Sequence, residues 1–115
     1  MCIRDSVTSS SELLSVAKNI NSLDLLILNA GIYEPVIIEN FSVKSFIKQS
    51  EINYLGVIKS FDAFIKKMLL SKSGTVLIMS SIAGWIGLPK ASAYAPTKSA
   101  IRLFAQSIRL SLIHI

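Results

Sequence analysis

Two short apolar runs limit what this chain can fold into. Leu23 to Leu28 (LDLLIL) and Thr75 to Met79 (TVLIM) are each of strand length and almost uninterrupted. Such runs fit strands of a parallel sheet covered on both faces, with Asp24 at a solvated end. The residues between them read as helix. Ser42 can cap a run to about Ser71, and Tyr54, Ile58, Phe61, Ile65 and Met68 recur at spacings of 4, 3, 4 and 3, a buried helical stripe. Asp62 and Lys66 form an i,i+4 pair on the solvated side. Strand, helix and strand in this order make a right-handed parallel crossover, so the class is α/β. Upstream, residues 10–20 read as the tail of an amphipathic helix with Leu13, Leu14 and Ala17 inward.

Chemistry-bearing residues collect after the strands. Asn29-Ala30-Gly31 follows the first and Ser80-Ser81 the second, and in doubly wound sheets ligands bind at such carboxyl ends. Gly and Ala allow close backbone approach, and Asn offers a donor and an acceptor. A loop with Gly84, Trp85, Gly87 and Pro89 leads to a helix beginning near Ser92, with Pro96 in its first turn, where no intrahelical N–H is needed. Tyr94 and Lys98 are four apart and share a helix face; Ile101, Phe104, Ala105 and Ile108 continue an apolar one. A hydroxyl, a phenol and an ammonium converging on one point suit proton transfer to or from an oxygen. Trp85, Ile86 and Leu88 offer an apolar wall. Asn53 lies inside the long helix, where Asn is a poor helix former and, if buried, needs hydrogen-bond partners.

Ser81, Tyr94, Lys98 and Asn53 together resemble the catalytic tetrad of the short-chain dehydrogenase/reductase family. Asn29-Ala30-Gly31 resembles that family's N-A-G motif, and Asn53 to Gly56 its local N-x-x-G. The likeness covers most of residues 12–109. It implies a Rossmann-like doubly wound parallel sheet, present here as a central fragment of about two strands and three helices. It also implies NAD or NADP as cofactor and a small carbonyl or secondary alcohol as substrate. In the family the tyrosine is the acid/base and the serine holds the carbonyl oxygen. The lysine bonds the nicotinamide ribose and favours the phenolate. The helical Asn kinks its helix and holds a water, and N-A-G borders the adenine ribose. By that resemblance Asn53, Ser81, Tyr94 and Lys98 are the catalytic set, and Asn29, Ala30, Gly31, Tyr94 and Lys98 the cofactor-binding set. The two long helices would form the interface of a dimer or tetramer. Leu28 stands where many members have a second Asn, and Ala95-Pro96-Thr97 precedes the lysine where small residues and Ser are commoner. The family's T-G-x-x-x-G-x-G turn is not in the sequence, nor is the residue that selects NAD or NADP. The polypeptide alone is therefore expected neither to fold stably nor to catalyse. Two other readings remain open: a nucleotide-sugar epimerase or dehydratase, which also uses Tyr-x-x-x-Lys, and a non-enzymatic dinucleotide-binding or regulatory relative.

Composition narrows the rest. At 115 residues the chain is one domain at most, and although it is 51% hydrophobic with mean hydropathy +0.56, no apolar run reaches the roughly 18 residues of a membrane helix. The net charge of +5 comes from scattered lysines with no basic stripe, against nucleic-acid binding. The two ends, residues 1–6 and 110–115, can be encoded by inverted copies of one oligonucleotide and are set aside as adapter-derived, leaving 7–109 as the partial domain. Cys2 and His114, the one cysteine and the one histidine, fall in those ends, so no metal site is expected. A cytoplasmic location is expected from the class alone.

Overall fold

The computed structural model describes residues 6–112. Of the two terminal segments set aside above, residues 1–5 and 113–115 lie outside the described residues. The elements in order are α1 (Ser10–Lys18), β1 (Leu25–Leu28), a 3-10 turn (Ile38–Asn40), α2 (Val43–Ser50), a π-helical turn (Glu51–Leu55), α3 (Gly56–Ser71), β2 (Thr75–Ile78), a second 3-10 turn (Ile82–Gly84) and α4 (Tyr94–Leu112). This is the expected partial α/β, Rossmann-like arrangement. β1 and β2 are parallel, with Leu25 opposite Thr75 and Leu28 opposite Ile78. Bonds from Thr75 N to Asp24 O and from Met79 N to Leu28 O, each 2.9 Å, extend the ladder at both ends.

Alternation along the strands sorts their side chains between two faces. Leu26 and Leu28 point into a core completed by Ala17 of α1, Val57, Phe64 and Met68 of α3 and Ile101 of α4. The opposite face is open, with Leu25 50%, Ile27 55%, Leu77 43% and Met79 46% exposed. The expectation of strands covered on both faces is thus corrected: all three packing helices lie on one side.

α2, the π turn and α3 follow one another without a break, giving the long helix expected from Ser42 to Ser71. Ser42 occupies the cap position, but its side chain makes no cap bond; its carbonyl accepts from Ser45 N at 3.1 Å instead. The buried stripe also differs from the one read off the large apolar residues. Gly56, Val57, Ser60, Phe64 and Met68 are the buried positions of α3, and Tyr54, Phe61 and Ile65 flank them as half-buried. Small residues let the helix seat closely on the sheet, and hydrophobic periodicity does not register Gly or Ser. Likewise Leu13 and Ala17 face the core, whereas Leu14 is exposed, because it lies about a quarter turn away. No helix among the described residues is long and apolar enough to cross a membrane.

Candidate active site

The site is built where the helical run meets α4 at the carboxyl end of the sheet. Asn53 sits in the middle of the π turn and is fully buried; such turns often occur at functional positions. Its Oδ1 accepts from Ile32 N at 2.7 Å, and its Nδ2 donates to Ile32 O at 2.8 Å and to Thr97 Oγ1 at 3.2 Å. Thr97 Oγ1 in turn donates to Tyr94 O at 2.6 Å. A carboxamide that would be costly to bury is therefore satisfied on both ends. It joins the loop after Asn29-Ala30-Gly31 to the first turn of α4.

Tyr94 opens α4 and Pro96 lies in its first turn, as the sequence predicts. Lys98 is only 4% exposed. Its Nζ donates to Met79 O, at the end of β2, at 3.0 Å and lies 5.7 Å from the centre of the Tyr94 ring. Burial disfavours its charged form and lowers its pKa from the ordinary 10.5. Neither carboxylate that forms an ion pair among the described residues, Glu34 with Lys48 and Glu51 with Lys59, belongs to it. Gly31 covers this ammonium: a Cβ there would stand 3.4 Å from both Lys98 Nζ and Asn53 Oδ1.

The loop after β2 is pinned to α4 by three side chains. Ser80 Oγ donates to Lys98 O at 3.1 Å, Ser99 Oγ to Gly84 O at 2.8 Å and Arg102 Nε to Gly84 O at 3.2 Å. Ser81 Oγ accepts from Ala83 N at 3.2 Å, which closes the short 3-10 turn and leaves its own O–H free to donate. Ser81 and Tyr94 meet in a cleft of about 330 Å³, walled by Tyr33, Leu88, Pro89 and Ala91. Smaller hollows, of about 190 Å³ beside Met68 and Gly74 and about 130 Å³ beside Leu26 and Gly56, are lined by neither Ser81, Tyr94 nor Lys98, though Asn29 and Ala30 border the second. Trp85 and Ile86 are not in the cleft wall; of the three apolar residues expected there, Leu88 alone lines it. Trp85 points outward with the Arg102 guanidinium 4.2 Å from its ring centre.

The structure thus brings Asn53, Tyr94 and Lys98 to one seam and sets Ser81 across the cleft from Tyr94. Asn29, Ala30 and Gly31 stand at the end of β1, open to solvent. Sequence reasoning missed Gln49, Tyr33 and Thr97. Gln49 is fully buried one helical turn before Asn53, and two amides at i,i+4 on a helix were the signal for it. Tyr33 meets Tyr94 edge to face at 5.2 Å, a contact no spacing rule reveals.

A small parallel sheet flanked by helices, with the Tyr94 phenol and Lys98 ammonium of α4 and the Ser81 hydroxyl gathered at its carboxyl end, is a partial α/β arrangement of the Rossmann class. The family model for short chain dehydrogenase matches residues 3–114, and the chain belongs to that family. It is 32% identical over 117 residues to 3-dehydrosphinganine reductase of Danio rerio, covering 97% of this chain and 35% of that one. It is 34% identical over 90 residues to cyclopentanol dehydrogenase of Comamonas testosteroni, covering 78% and 36%. Among solved structures, the apo form of LigO from Sphingobium sp. strain SYK-6 superposes with a TM-score of 0.90 at 25% identity, over 97% of this chain and 43% of that one. ElxO with NADP bound superposes at 0.87 and 24%, over 95% and 46%. The chain spans about a third of the length of the curated relatives it matches, 27% of one and 39% of another.

Proposed function

We propose that the protein is an oxidoreductase that moves a hydride between NAD or NADP and a carbonyl or secondary alcohol, with Tyr94 as acid/base. The observation that carries this reading is the buried Lys98 ammonium, held by Met79 O within 5.7 Å of the Tyr94 ring. The residues fit a dinucleotide. An ammonium has three donors and the protein uses one of them on Met79 O, leaving two for a ribose diol. Gly31 has no side chain where a Cβ would come into contact, at 3.4 Å, with both Lys98 Nζ and Asn53 Oδ1. Asn29, Ala30 and Gly31 would border the bound nucleotide at the end of β1. When bound, the nicotinamide supplies or takes the hydride.

The protein's own part is to hold the oxygen and move its proton. Ser81 donates its free O–H to the substrate oxygen and keeps it beside the phenol. Tyr94 gives its proton to that oxygen as negative charge grows there, and takes one back in the reverse direction. The Lys98 ammonium stabilises the charge left on the phenol oxygen, an interaction strengthened by the burial of Lys98. Asn53 holds the first turn of α4 through Thr97, so the phenol does not drift. A positioned proton donor of this kind contributes about 10²–10⁴-fold.

The deciding test uses the full-length protein with cyclopentanone and acetophenone as probes. Tyr94→Phe should cut kcat by about 10²–10⁴-fold while the affinity for NADP or NAD stays within about twofold. A parallel loss of cofactor affinity and turnover would remove the acid/base role. Cofactor binding without turnover of any ketone or alcohol by the wild type would favour a binding module over an enzyme.

A further inference from the structure

We propose that Gln49 is a positioning residue of this site, which with Asn53 clamps the extended segment Ile32–Glu34 and thereby sets Tyr33 as the wall that selects the substrate. The proposal rests on the oxidoreductase reading above for its substrate, but not for its geometry.

Gln49 has no exposed surface, and the mechanism makes no use of it. Burying a carboxamide is unfavourable unless each end is bonded, and here both ends are. Nε2 donates to Glu34 O at 2.9 Å and to Ser45 Oγ at 3.1 Å, and Oε1 accepts from Glu34 N at 3.3 Å. Asn53 does the same to Ile32. Each amide therefore takes both the N–H and the C=O of one backbone residue, as a neighbouring strand would.

The two periodicities match. Four helical residues advance about 6 Å, and two residues of extended chain advance about 6.6 Å. Gln49 and Asn53 can therefore hold Glu34 and Ile32 at once, with the π turn Glu51–Leu55 falling between the two amides and around Asn53. One such rung would leave the segment free to pivot about Ile32. Two rungs fix its direction as well as its place. A third tie, Val36 N to Lys90 O at 2.9 Å, joins its continuation to the opposite cleft wall.

Tyr33 lies between the two rungs. Its ring sits 5.2 Å from the Tyr94 ring at 71° and lines the cleft with Leu88 and Pro89. With its backbone held on both sides, the ring, which is 51% exposed, stays anchored at this edge of the cleft and moves only by turning about its own side-chain bonds. The cleft measures about 330 Å³, near the lower end of ligand-pocket sizes, and Tyr33 forms one wall of it, so a shift of that wall should be felt differently by a compact cyclic ketone and a broad diaryl ketone.

The test compares wild type with Gln49→Met in the full-length protein, since Met keeps length and loses all three bonds. Two readouts are taken. The first needs no substrate: the ring-current shifts of 13C-labelled tyrosine report the Tyr33–Tyr94 contact. The second is the ratio of kcat/KM for cyclopentanone over benzophenone. The proposal expects the Tyr33 and Tyr94 signals to move, KM for cyclopentanone to rise about three- to tenfold, kcat to hold within about twofold, and the selectivity ratio to fall. Adding Tyr33→Ala to Gln49→Met should then bring little further change, because both act through one wall. Unmoved ring signals and an unmoved ratio, with only a lower Tm, would make Gln49 a packing residue and overturn the idea.

If Gln49→Met does not fold, Gln49→Glu decides. A carboxyl can donate to Glu34 O only when protonated, so the ring signals should match wild type on the acid side and depart on the alkaline side. Wild-type-like signals at every pH would overturn the proposal. Absence of ketone reduction by wild type would sink the oxidoreductase reading, yet the ring shifts would still judge Gln49.

Discussion

The seam between the helical run and α4 and the open face of the sheet are built in opposite ways. At the seam Gln49, Asn53, Thr97 and Lys98 are buried polar side chains, and among the described residues no buried side-chain N or O lacks a partner. On the open face four large apolar side chains of β1 and the β2 ladder stand near half exposure. One region buries what water prefers, and the other shows water what it excludes. Apolar pattern thus locates the strands, while directional bonds hold the geometry that chemistry needs. Damage should therefore be severe at the seam and slight on the face.

Asn53→Leu tests the seam hardest. It keeps the shape and strips Ile32 N, Ile32 O and Thr97 Oγ1 of a partner. Each buried group left unpaired costs about 1–3 kcal/mol, so urea unfolding of the full-length protein should show a loss of about 2–5 kcal/mol. A loss near that of an exposed substitution would erase the contrast between the regions.

The next effect is steric. A Cβ on Gly84 would lie 2.8 Å from Lys98 O and 2.9 Å from Lys98 C, whereas one on Gly87 would meet nothing within 4 Å. Gly84→Ala must push the loop off the α4 backbone, at about 1–3 kcal/mol, and should carry Ser81 away from Tyr94. Gly87→Ala should stay within about 0.5 kcal/mol. Equal effects at the two glycines would mean that the loop is not pinned.

What could be read beforehand follows the same division. LDLLIL and TVLIM place the strands because continuous apolar runs of that length have few other solutions. Ser81, Tyr94 and Lys98 were legible because their spacing matches a strand end and one helix face. Asn53 was legible only through its resemblance to a motif. Nothing in the sequence says that its amide reads Ile32, since that partner is 21 residues away. Gln49 stayed hidden because a polar residue on a helix is ordinarily solvated. The open face stayed hidden because a strand apolar on both sides looks the same whether or not both are covered.

Lys98 gives a smaller, pH-dependent effect. Its folded pKa lies below the ordinary 10.5 because burial disfavours the charge. Between the two values the unfolded chain binds more protons, so stability rises with pH across that interval. The cost is full below the folded pKa and gone above 10.5. Lys98→Met removes both the buried charge and the bond to Met79 O, so the Tm difference between it and wild type should move in favour of wild type as pH climbs toward 10.5. A gap independent of pH would show that the ammonium is not what burial penalises.

The smallest effect belongs to the open face, and it sharpens the comparison most. Ile27 is a strand residue at 55% exposure, so little is lost when it becomes polar, and Thr keeps both the β-branching and the strand preference. In the 115-residue chain, expected above to have little stability on its own, Ile27→Thr should leave that stability within about 0.5 kcal/mol and reduce self-association, because an apolar patch beside unpaired strand edges invites contact with another copy. Sedimentation at several concentrations, alongside urea unfolding, measures both. A loss of about 1–3 kcal/mol that grows with protein concentration would mean that the face is buried between copies. The open face would then be an interface, and the two regions would differ only in what covers them.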